Sequence, residues 1–244
     1  MSVAWDDYGL TDRGKVRRVN QDAFWIGAAL GGIKAWAVAD GMGGYKGGEI
    51  ASGQLVEALD AIEPATGYAV LVERILQTIR QVNSNLIRLS GQMGSGPVGS
   101  TLIVLVASGE GRGLCLWAGD SRLYRLRNQE LEQITRDHSQ VQGMLDCGII
   151  SEQEAEDHPA ANIITNAHGV DEKLWIDQKE LDVREGDVYL LCSDGVNKEL
   201  GKAEIRSALL QDEAEKIVRT VVSGALENGG RDNITAVCVR ISQV

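Results

Sequence analysis

The sequence lacks the features of several classes of protein. It has only 3 prolines in 244 residues, and no Ser/Pro-rich tract or fixed-period repeat indicates a linker. Its longest apolar stretch, TLIVLVA at residues 101–107, is far shorter than the roughly 18 residues that a membrane helix needs. The opening residues MSVAWDDYG show no basic-then-apolar export signal. These absences predict one domain over residues 1–244, located in the cytoplasm and not attached to a membrane.

Paired cysteines and clusters of basic residues are lacking as well. None of the four cysteines forms a C-x-x-C pair, and three lie in apolar runs, so they are predicted to be core thiols and not zinc ligands. The 35 acidic residues outnumber the 24 basic ones, which gives a formal net charge of -11. Because this charge repels phosphate backbones and no cluster of Lys and Arg offsets it, we expect no nucleic-acid partner.

The sequence does contain short strand-like runs in pairs with short turns, a pattern that favours antiparallel pairing. They lie near residues 3–10, 23–28, 33–39, 99–107, 112–118, 122–127, 174–182, 187–192 and 233–241. Helical segments come in two blocks: 47–62 with 68–89, and 203–210 with 214–230. Strand pairs with helices in two blocks predict an α+β layered sandwich.

Five of the apolar runs have an aspartate at one end. In WAVADGMGG, residues 36–44, the apolar run ends at an aspartate with glycines beside it. An aspartate also stands at the end of an apolar run in NQDA, AGDSR, CSDG and RDNIT. The residues are Asp22, Asp40, Asp120, Asp194 and Asp232. Each one alone is typical of a turn. Together they are what a fold needs to gather carboxylates from distant parts of the chain into one cleft.

Carboxylates in one cleft repel one another and raise each other's pKa, so such a cluster requires a cation. The candidate ligands are all oxygens, which favours Mg²⁺ or Mn²⁺ over zinc. Glycines beside Asp40 allow the backbone to approach closely, so the carbonyl oxygen of Gly41 is a further candidate ligand.

Seven motifs occur in the order and spacing of a known family: RRVNQDA, VADGMGG, GST, AGDSRLY, TRDHS, LLCSDG and DNIT. Over residues 9–241 the chain resembles the bacterial branch of the protein phosphatase 2C family of metal-dependent serine/threonine phosphatases. The resemblance implies a four-layer α-β-β-α sandwich with two central antiparallel β-sheets and a flap segment at about 139–170. In the flap, SQVQ and SEQE are shaped like capping boxes and predict short helices after Ser139 and Ser151.

The implied activity is hydrolysis of phosphoserine and phosphothreonine in proteins by a metal-bridged water, in opposition to a bacterial serine/threonine kinase. Phosphorylated proteins would be the substrates, and a monomer is expected. Small stand-alone members of the bacterial branch sometimes serve type VI secretion or cell-wall signalling, which is the only indication of a pathway.

The resemblance also implies the roles of the metal ligands. Asp40, Asp194 and Asp232 would bind two core ions, Mn²⁺ or Mg²⁺, with the Gly41 carbonyl on the second ion. Asp22 would support that second ion directly or through water. Asp40 and Asp194 are therefore counted among the catalytic residues.

Two further residues of the site follow from the resemblance. Asp120, with Asp194, matches the place where bacterial members bind a third, weaker ion. Arg17 matches the arginine that holds the substrate phosphate through its planar fork. Met42 stands where some eukaryotic relatives carry a histidine proposed to protonate the leaving alkoxide, so the identity of the general acid is open. Gln21 replaces an acidic residue that is common in the first motif.

Two other functions compete with this interpretation. One is a catalytically weak, phosphoprotein-binding regulatory module of the same fold, against which the intact Asp40, Asp194 and Asp232 argue. The other is a metal-dependent esterase or nuclease that uses a similar carboxylate cluster. The lack of a basic track counts against nucleic-acid substrates.

Overall fold

The structure of the protein, a computed structural model, describes residues 3–43, 47–63, 65, 67–93, 98–156 and 158–243. The strands within these ranges are β1 Val3–Asp12, β2 Asp22–Ile26, β3 Ile33–Met42, β4 Gly99–Ser100, β5 Leu102–Ser108, β6 Arg112–Ala118, β7 Arg122–Arg127, β8 Glu130–Gln133, β9 Asp177–Asp182, β10 Val188–Cys192 and β11 Ile234–Gln243. The helices are α1 Gly47–Asp60, α2 Tyr68–Met93, α3 Gln140–Asp146, α4 Glu152–Glu156, α5 Asp194–Asn197, α6 Lys202–Leu209 and α7 Ala214–Glu227.

The strands form two antiparallel sheets. The first has the order β1-β11-β10-β7-β8, and the second has the order β2-β3-β5-β6-β9 with β4 paired to β3. Both chain termini contribute to the first sheet, because β1 and β11 pair along their full lengths from Val3 opposite Gln243 to Asp12 opposite Ile234.

Alternating side chains of the strands fill three separate cores. In β3, Trp36 and Val38 point into the core between the two sheets, where Tyr189 of β10 also lies, whereas Ala37 and Ala39 point towards the helices. This is the period of two that a strand imposes. Because both faces of the sheet are covered, seven of the ten residues of β3 are buried, including all of Ala35 to Ala39, which explains its continuous apolar run.

Helices cover the outer face of each sheet. Leu55 of α1 and Ile79 of α2 pack with Val104 of β5 in one outer core, and Ile217 of α7 packs with Leu190 of β10 in the other. The order of layers is therefore helices, sheet, sheet, helices. This confirms the predicted α+β class and the four-layer α-β-β-α sandwich.

The predicted local features are largely confirmed. The helix predicted at 68–89 is α2, whose buried face includes Ile75, Ile79 and Leu86. Helix α3 begins after Ser139, whose side chain accepts from the amide of Gln142 at 3.1 Å. Helix α4 begins after Ser151. Of the four cysteines, Cys115, Cys192 and Cys238 are buried and free, whereas Cys147 is exposed.

One predicted strand end is wrong. The sequence predicts that the strand at 33–39 stops before Asp40, but β3 continues through Asp40 to Met42. The extension has a partner, because Gly41 lies opposite Ser100 and Met42 opposite Gly99 in β4. The single strand predicted at 99–107 is correspondingly divided at residue 101 into β4 and β5.

Two elements have no counterpart in the sequence prediction. Asn128 and Gln129 have φ values of 50° and 65°, so they form a tight turn that pairs β7 with the short, polar β8. Asp194 opens the short helix α5 directly after β10. In addition, the strand predicted at 174–182 begins only at Asp177.

Of the helices in the described ranges, none has both the length and the apolar content that a bilayer crossing demands.

Candidate metal centre

The pairing of β2 with β3 brings the first two predicted ligands together. Asp22 opens β2 and lies directly opposite Asp40 of β3. Two hydrogen bonds fix the turn before β2. The amide of Asp22 donates to Asn20 Oδ1 at 3.1 Å, and the amide of Gln21 donates to Asn233 Oδ1 at 2.9 Å. Asn233 precedes β11, so this bond also ties the β2–β3 pair to the first sheet.

The GST motif fixes the backbone of Asp40. The amide of Asp40 donates to Thr101 Oγ1 at 3.1 Å, and its carbonyl accepts from the Thr101 amide at 2.9 Å and the Ser100 hydroxyl at 3.0 Å. Thr101 Oγ1 also lies 2.7 Å from Ser121 Oγ. Because Ser121 follows Asp120, the same threonine positions two of the predicted carboxylates.

Gly41 stands where only a glycine fits. A Cβ on Gly41 would overlap the backbone carbonyl oxygens of Gly48 and Gln21, since β3 passes between the start of α1 and the turn before β2. The amide of Gly41 donates to the carbonyl oxygen of Gln21 at 3.1 Å. Gly44, the last residue of the opening motif, lies outside the described residues.

The turn before Asp120 is held by a histidine. Gly119 has a φ of 113°, which favours glycine, and its amide donates to His138 Nδ1 at 3.1 Å. Nε2 of the same ring lies 3.2 Å from Asp177 Oδ2. His138 therefore holds the loop before Asp120.

Asp194 and Asp232 lie at the ends of two neighbouring strands of the first sheet: Asp194 shortly after β10 and Asp232 shortly before β11. Ser193 precedes α5, and its amide and hydroxyl bond the backbone of Thr235 in β11 at 3.0 Å each. Gly195 is pressed against the backbone of Asn233 so closely that a Cβ there would overlap a carbonyl oxygen. The start of α5 is thereby packed directly against the segment that carries Asp232.

The cluster is electrostatically strained. Burial raises the pKa of Asp40 well above its ordinary value, and the charges of Asp22, Asp194, Asp120 and Asp232 raise it further. Asp40 therefore lies within electrostatic reach of all four other aspartates, as the sequence predicts.

Two neighbouring aspartates, Asp22 and Asp120, also have raised pKa values. Burial is the main cause that raises the pKa of Asp22 to about 7, although hydrogen bonds from Ser193 and Thr235 oppose the rise. Burial, followed by the charges of Asp194 and Asp137, raises the pKa of Asp120 to about 7. A bound cation would stabilise the ionised form of these buried carboxylates at neutral pH.

The residues present fit a hard divalent cation. Asp22, Asp120 and Asp194 are 9%, 5% and 9% exposed, and Oδ1 of each is buried without a hydrogen-bond partner among the described residues. Buried carboxylate oxygens without a donor are unfavourable unless a cation pairs with them. Carboxylate and carbonyl oxygens are the ligands that Mg²⁺ and Mn²⁺ prefer.

Two cationic side chains contact the cluster. Arg17 Nη2 lies 2.8 Å from Asp232 Oδ2, and the ammonium of Lys198 forms an ion pair with Asp194 Oδ2. In the part of the chain that the structure describes, no three Asp, Glu, His or Cys side chains are oriented to hold an ion as they stand. A bound metal would therefore compete with these cations for the carboxylates of Asp194 and Asp232.

The sequence prediction missed several residues that build the site. Thr235 Oγ1 donates to Asp22 Oδ2 at 2.7 Å, and Thr101 and Asn233 fix the turns described above. These three residues belong to the quoted motifs GST and DNIT, so the signal was present but only the carboxylates were interpreted. Lys198 carried no signal, because a lysine three residues after CSDG resembles an ordinary surface residue.

Two stacked antiparallel sheets between helices, with aspartates gathered near strand ends of both sheets, are the arrangement that the resemblance to metal-dependent phosphatases implies. Comparison with known proteins agrees: the family model described as Protein phosphatase 2C matches residues 13–228. The chain belongs to the protein phosphatase 2C family, as its motifs indicate.

Individual relatives are similar over most of the chain. The serine/threonine protein phosphatase PstP of Mycobacterium tuberculosis is 36% identical over 234 residues, which are 93% of this chain but only 43% of that protein. The structure of PppA, described as a key regulatory component of T6SS (type VI secretion) in Pseudomonas aeruginosa, is 40% identical with a TM-score of 0.87 and 97% coverage of both chains. The catalytic domain of PstP in complex with 2 manganese ions is 31% identical, with a TM-score of 0.85 and coverage of 99% and 100%.

Proposed function

We propose that the chain hydrolyses phosphoserine and phosphothreonine esters in proteins, with Mn²⁺ or Mg²⁺ bound by its aspartate cluster. The observation that carries this proposal is the convergence of Asp22, Asp40, Asp120, Asp194 and Asp232, whose charges all act on Asp40. Family membership and the manganese complex of a similar catalytic domain support it.

Asp40, Asp194 and Asp232 would bind two core ions, with the Gly41 carbonyl as a further ligand and Asp22 in support. The bound ions supply a nucleophilic water at neutral pH and neutralise charge that develops on the phosphoryl group. The cytoplasmic location, the monomeric state, the flap and the opposing kinase stay predictions. The resemblance also implies a third ion beside Asp120, but the ion pair of Lys198 with Asp194 argues against it.

Arg17 is the residue that would hold the substrate. Its side chain is 54% exposed and pairs with Asp232, which is 24% exposed, so the guanidinium stands at the open side of the cluster. Because its ion-pair partner Asp232 is a proposed metal ligand, the guanidinium of Arg17 would be available to a phosphate when Asp232 holds a cation. A planar fork is suited to two phosphate oxygens at once.

Phosphate release from a phosphothreonine peptide separates this function from its two competitors. We expect release with Mn²⁺ and none with a chelator, and no cleavage of an aryl phosphodiester. The matched control is Asp60→Asn, an exposed aspartate at the end of α1, which should keep full activity. Binding of the phosphopeptide without release would favour the regulatory module, and preferential cleavage of the diester would favour the nuclease. A comparison of Mn²⁺ with Mg²⁺ in the same assay would identify the preferred metal.

A place in the regulation of type VI secretion forms the second part of the proposal. The similarity to the Pseudomonas aeruginosa T6SS component, 40% over 97% of both chains, exceeds the 31% identity to the PstP catalytic domain. A strain without this chain should show altered secretion by that system, restored by the wild-type chain and not by Asp40→Asn. Unchanged secretion in the deletion strain would remove this part of the proposal.

A further inference from the structure

Lys198 places a positive charge inside the aspartate cluster. It ends the short helix α5, where its amide donates to the carbonyl oxygen of Asp194 at 2.9 Å. Its ammonium pairs with the carboxylate of the same residue, because positions four apart share one face of a helix. The backbone that follows is fixed, since buried Glu199 bonds the Arg231 guanidinium at 2.9 and 3.1 Å. The stretch of backbone that carries Lys198 is therefore tied to the segment that carries Asp232.

The charge of Lys198 reaches beyond its ion-pair partner. Burial lowers the pKa of Lys198, but attraction by Asp194, Asp120 and Asp232 outweighs that effect, so the pKa is raised above its ordinary value. The charge of Lys198 in turn acts to lower the pKa of Asp120, against the larger effect of burial. Oδ1 of Asp120 has no hydrogen-bond partner in the described ranges. These two aspartates are the pair to which the resemblance assigns a third metal ion.

The charges of the cluster balance without that third ion. Five aspartates carry five negative charges, and two divalent ions with one ammonium neutralise them. The charge of Arg17 is then left for the phosphate. A third divalent ion beside Lys198 would instead set like charges next to each other, and such charges repel strongly in a poorly hydrated site.

We propose that the ammonium of Lys198 occupies the place beside Asp120 and Asp194 that a third divalent ion would take, so that this centre binds two ions. The inference rests on the proposed metal centre. It makes Lys198 a positioning residue: it holds Asp194 and limits the number of ions, and it does not touch the substrate.

The number of Mn²⁺ ions bound per chain tests the inference without reference to activity. Free Mn²⁺ is counted by electron paramagnetic resonance during titration of the full chain, first as wild type and then as Lys198→Met and Lys198→Asp. We expect two bound ions for the wild type and three for Lys198→Asp, which supplies an added carboxylate. Lys198→Met should bind a third ion more weakly than Lys198→Asp. The double variant Lys198→Asp with Asp120→Asn should return to two.

Lys216→Met is the matched control. Lys216 also pairs with an aspartate four residues away, Asp212 at 3.3 Å, but on an exposed part of α7, so this variant should bind two ions like the wild type. Three ions on the wild-type chain, or two on both Lys198 variants in their folded state, would overturn the inference. Fewer than two ions on the wild type would overturn the proposed metal centre itself, which distinguishes the two failures.

Discussion

Replacement of Arg17 by alanine separates a phosphate ligand from an ordinary surface charge. Arg17 makes one ion pair, 2.8 Å long, to Asp232, and the two side chains are 54% and 24% exposed. An ion pair of this kind contributes about 0 to 1 kcal/mol to stability, because water screens it. Arg17→Ala should therefore change the free energy of unfolding by less than about 1 kcal/mol.

The effect on catalysis should be much larger. A charge-assisted hydrogen bond contributes roughly 1.5 to 3 kcal/mol, which corresponds to about a 10- to 150-fold loss in kcat/KM. We expect the loss mainly as a raised KM, since the guanidinium binds the phosphate in the ground state as well. Arg17→Lys should recover only part of it, because one ammonium cannot form two parallel bonds. Mn²⁺ affinity should hardly change.

Initial rates on a phosphothreonine peptide and on a small aryl phosphate provide the assay. Arg18→Ala is the control: Arg18 is the exposed neighbour and forms no ion pair with any residue that the structure describes. If the Arg17 and Arg18 variants had the same kcat/KM on both substrates, the assignment of Arg17 to the phosphate would be wrong.

Three other predictions follow from the same geometry. Asp40→Asn should lower phosphate release by more than about 100-fold at saturating Mn²⁺, because a ligand and its charge are lost. The circular dichroism spectrum should change little. Wild-type rates for this variant would show that the site is misplaced. Gly41→Ala puts a Cβ against two backbone carbonyls and should lower the free energy of unfolding by about 1–3 kcal/mol. A Cβ on Gly53 meets nothing within 4 Å, so Gly53→Ala should raise the free energy of unfolding by about 0.4–1 kcal/mol. Equal urea midpoints for the two variants would contradict this prediction. In chelator, the pKa of Asp22 and of Asp120 is about 7 in the folded chain against an ordinary 3.8, so between these values the folded chain binds more protons than the unfolded chain. The melting temperature should therefore fall as pH rises from about 4 to about 7 and level off above that. Mn²⁺ should remove the fall, and a melting temperature that rises with pH over this interval in chelator would refute the prediction.

The layers of the fold could be predicted because their signals are local. The face of α2 that carries Ile75, Ile79 and Leu86 has the helical period, and the buried strands are apolar runs ended by polar residues. Strand β8 could not be predicted in this way. Its register depends on Asn128 and Gln129 adopting positive φ, and glutamine is not a residue that indicates such a turn.

The site was predictable in its carboxylates and not in their surroundings. Aspartates at the ends of apolar runs are visible in the sequence, and the motifs set their order. The continuation of β3 past Asp40 depends on pairing with a strand about 60 residues later, and the contact between Lys198 and Asp194 depends on a helix of four residues. The first feature arises from a tertiary contact, and the second from a helix that is too short to give a periodic signal.

The location of bound manganese tests the central claim most directly. In crystals of the chain grown with Mn²⁺, anomalous scattering at the manganese edge should show two peaks about 4 Å apart. We expect them to be ligated by carboxylate oxygens of Asp40, Asp194 and Asp232, with the Gly41 carbonyl on one of them and the Lys198 ammonium beside Asp120 and Asp194. Peaks at another part of the surface, or none at the cluster, would contradict the assignment of these aspartates to a metal centre.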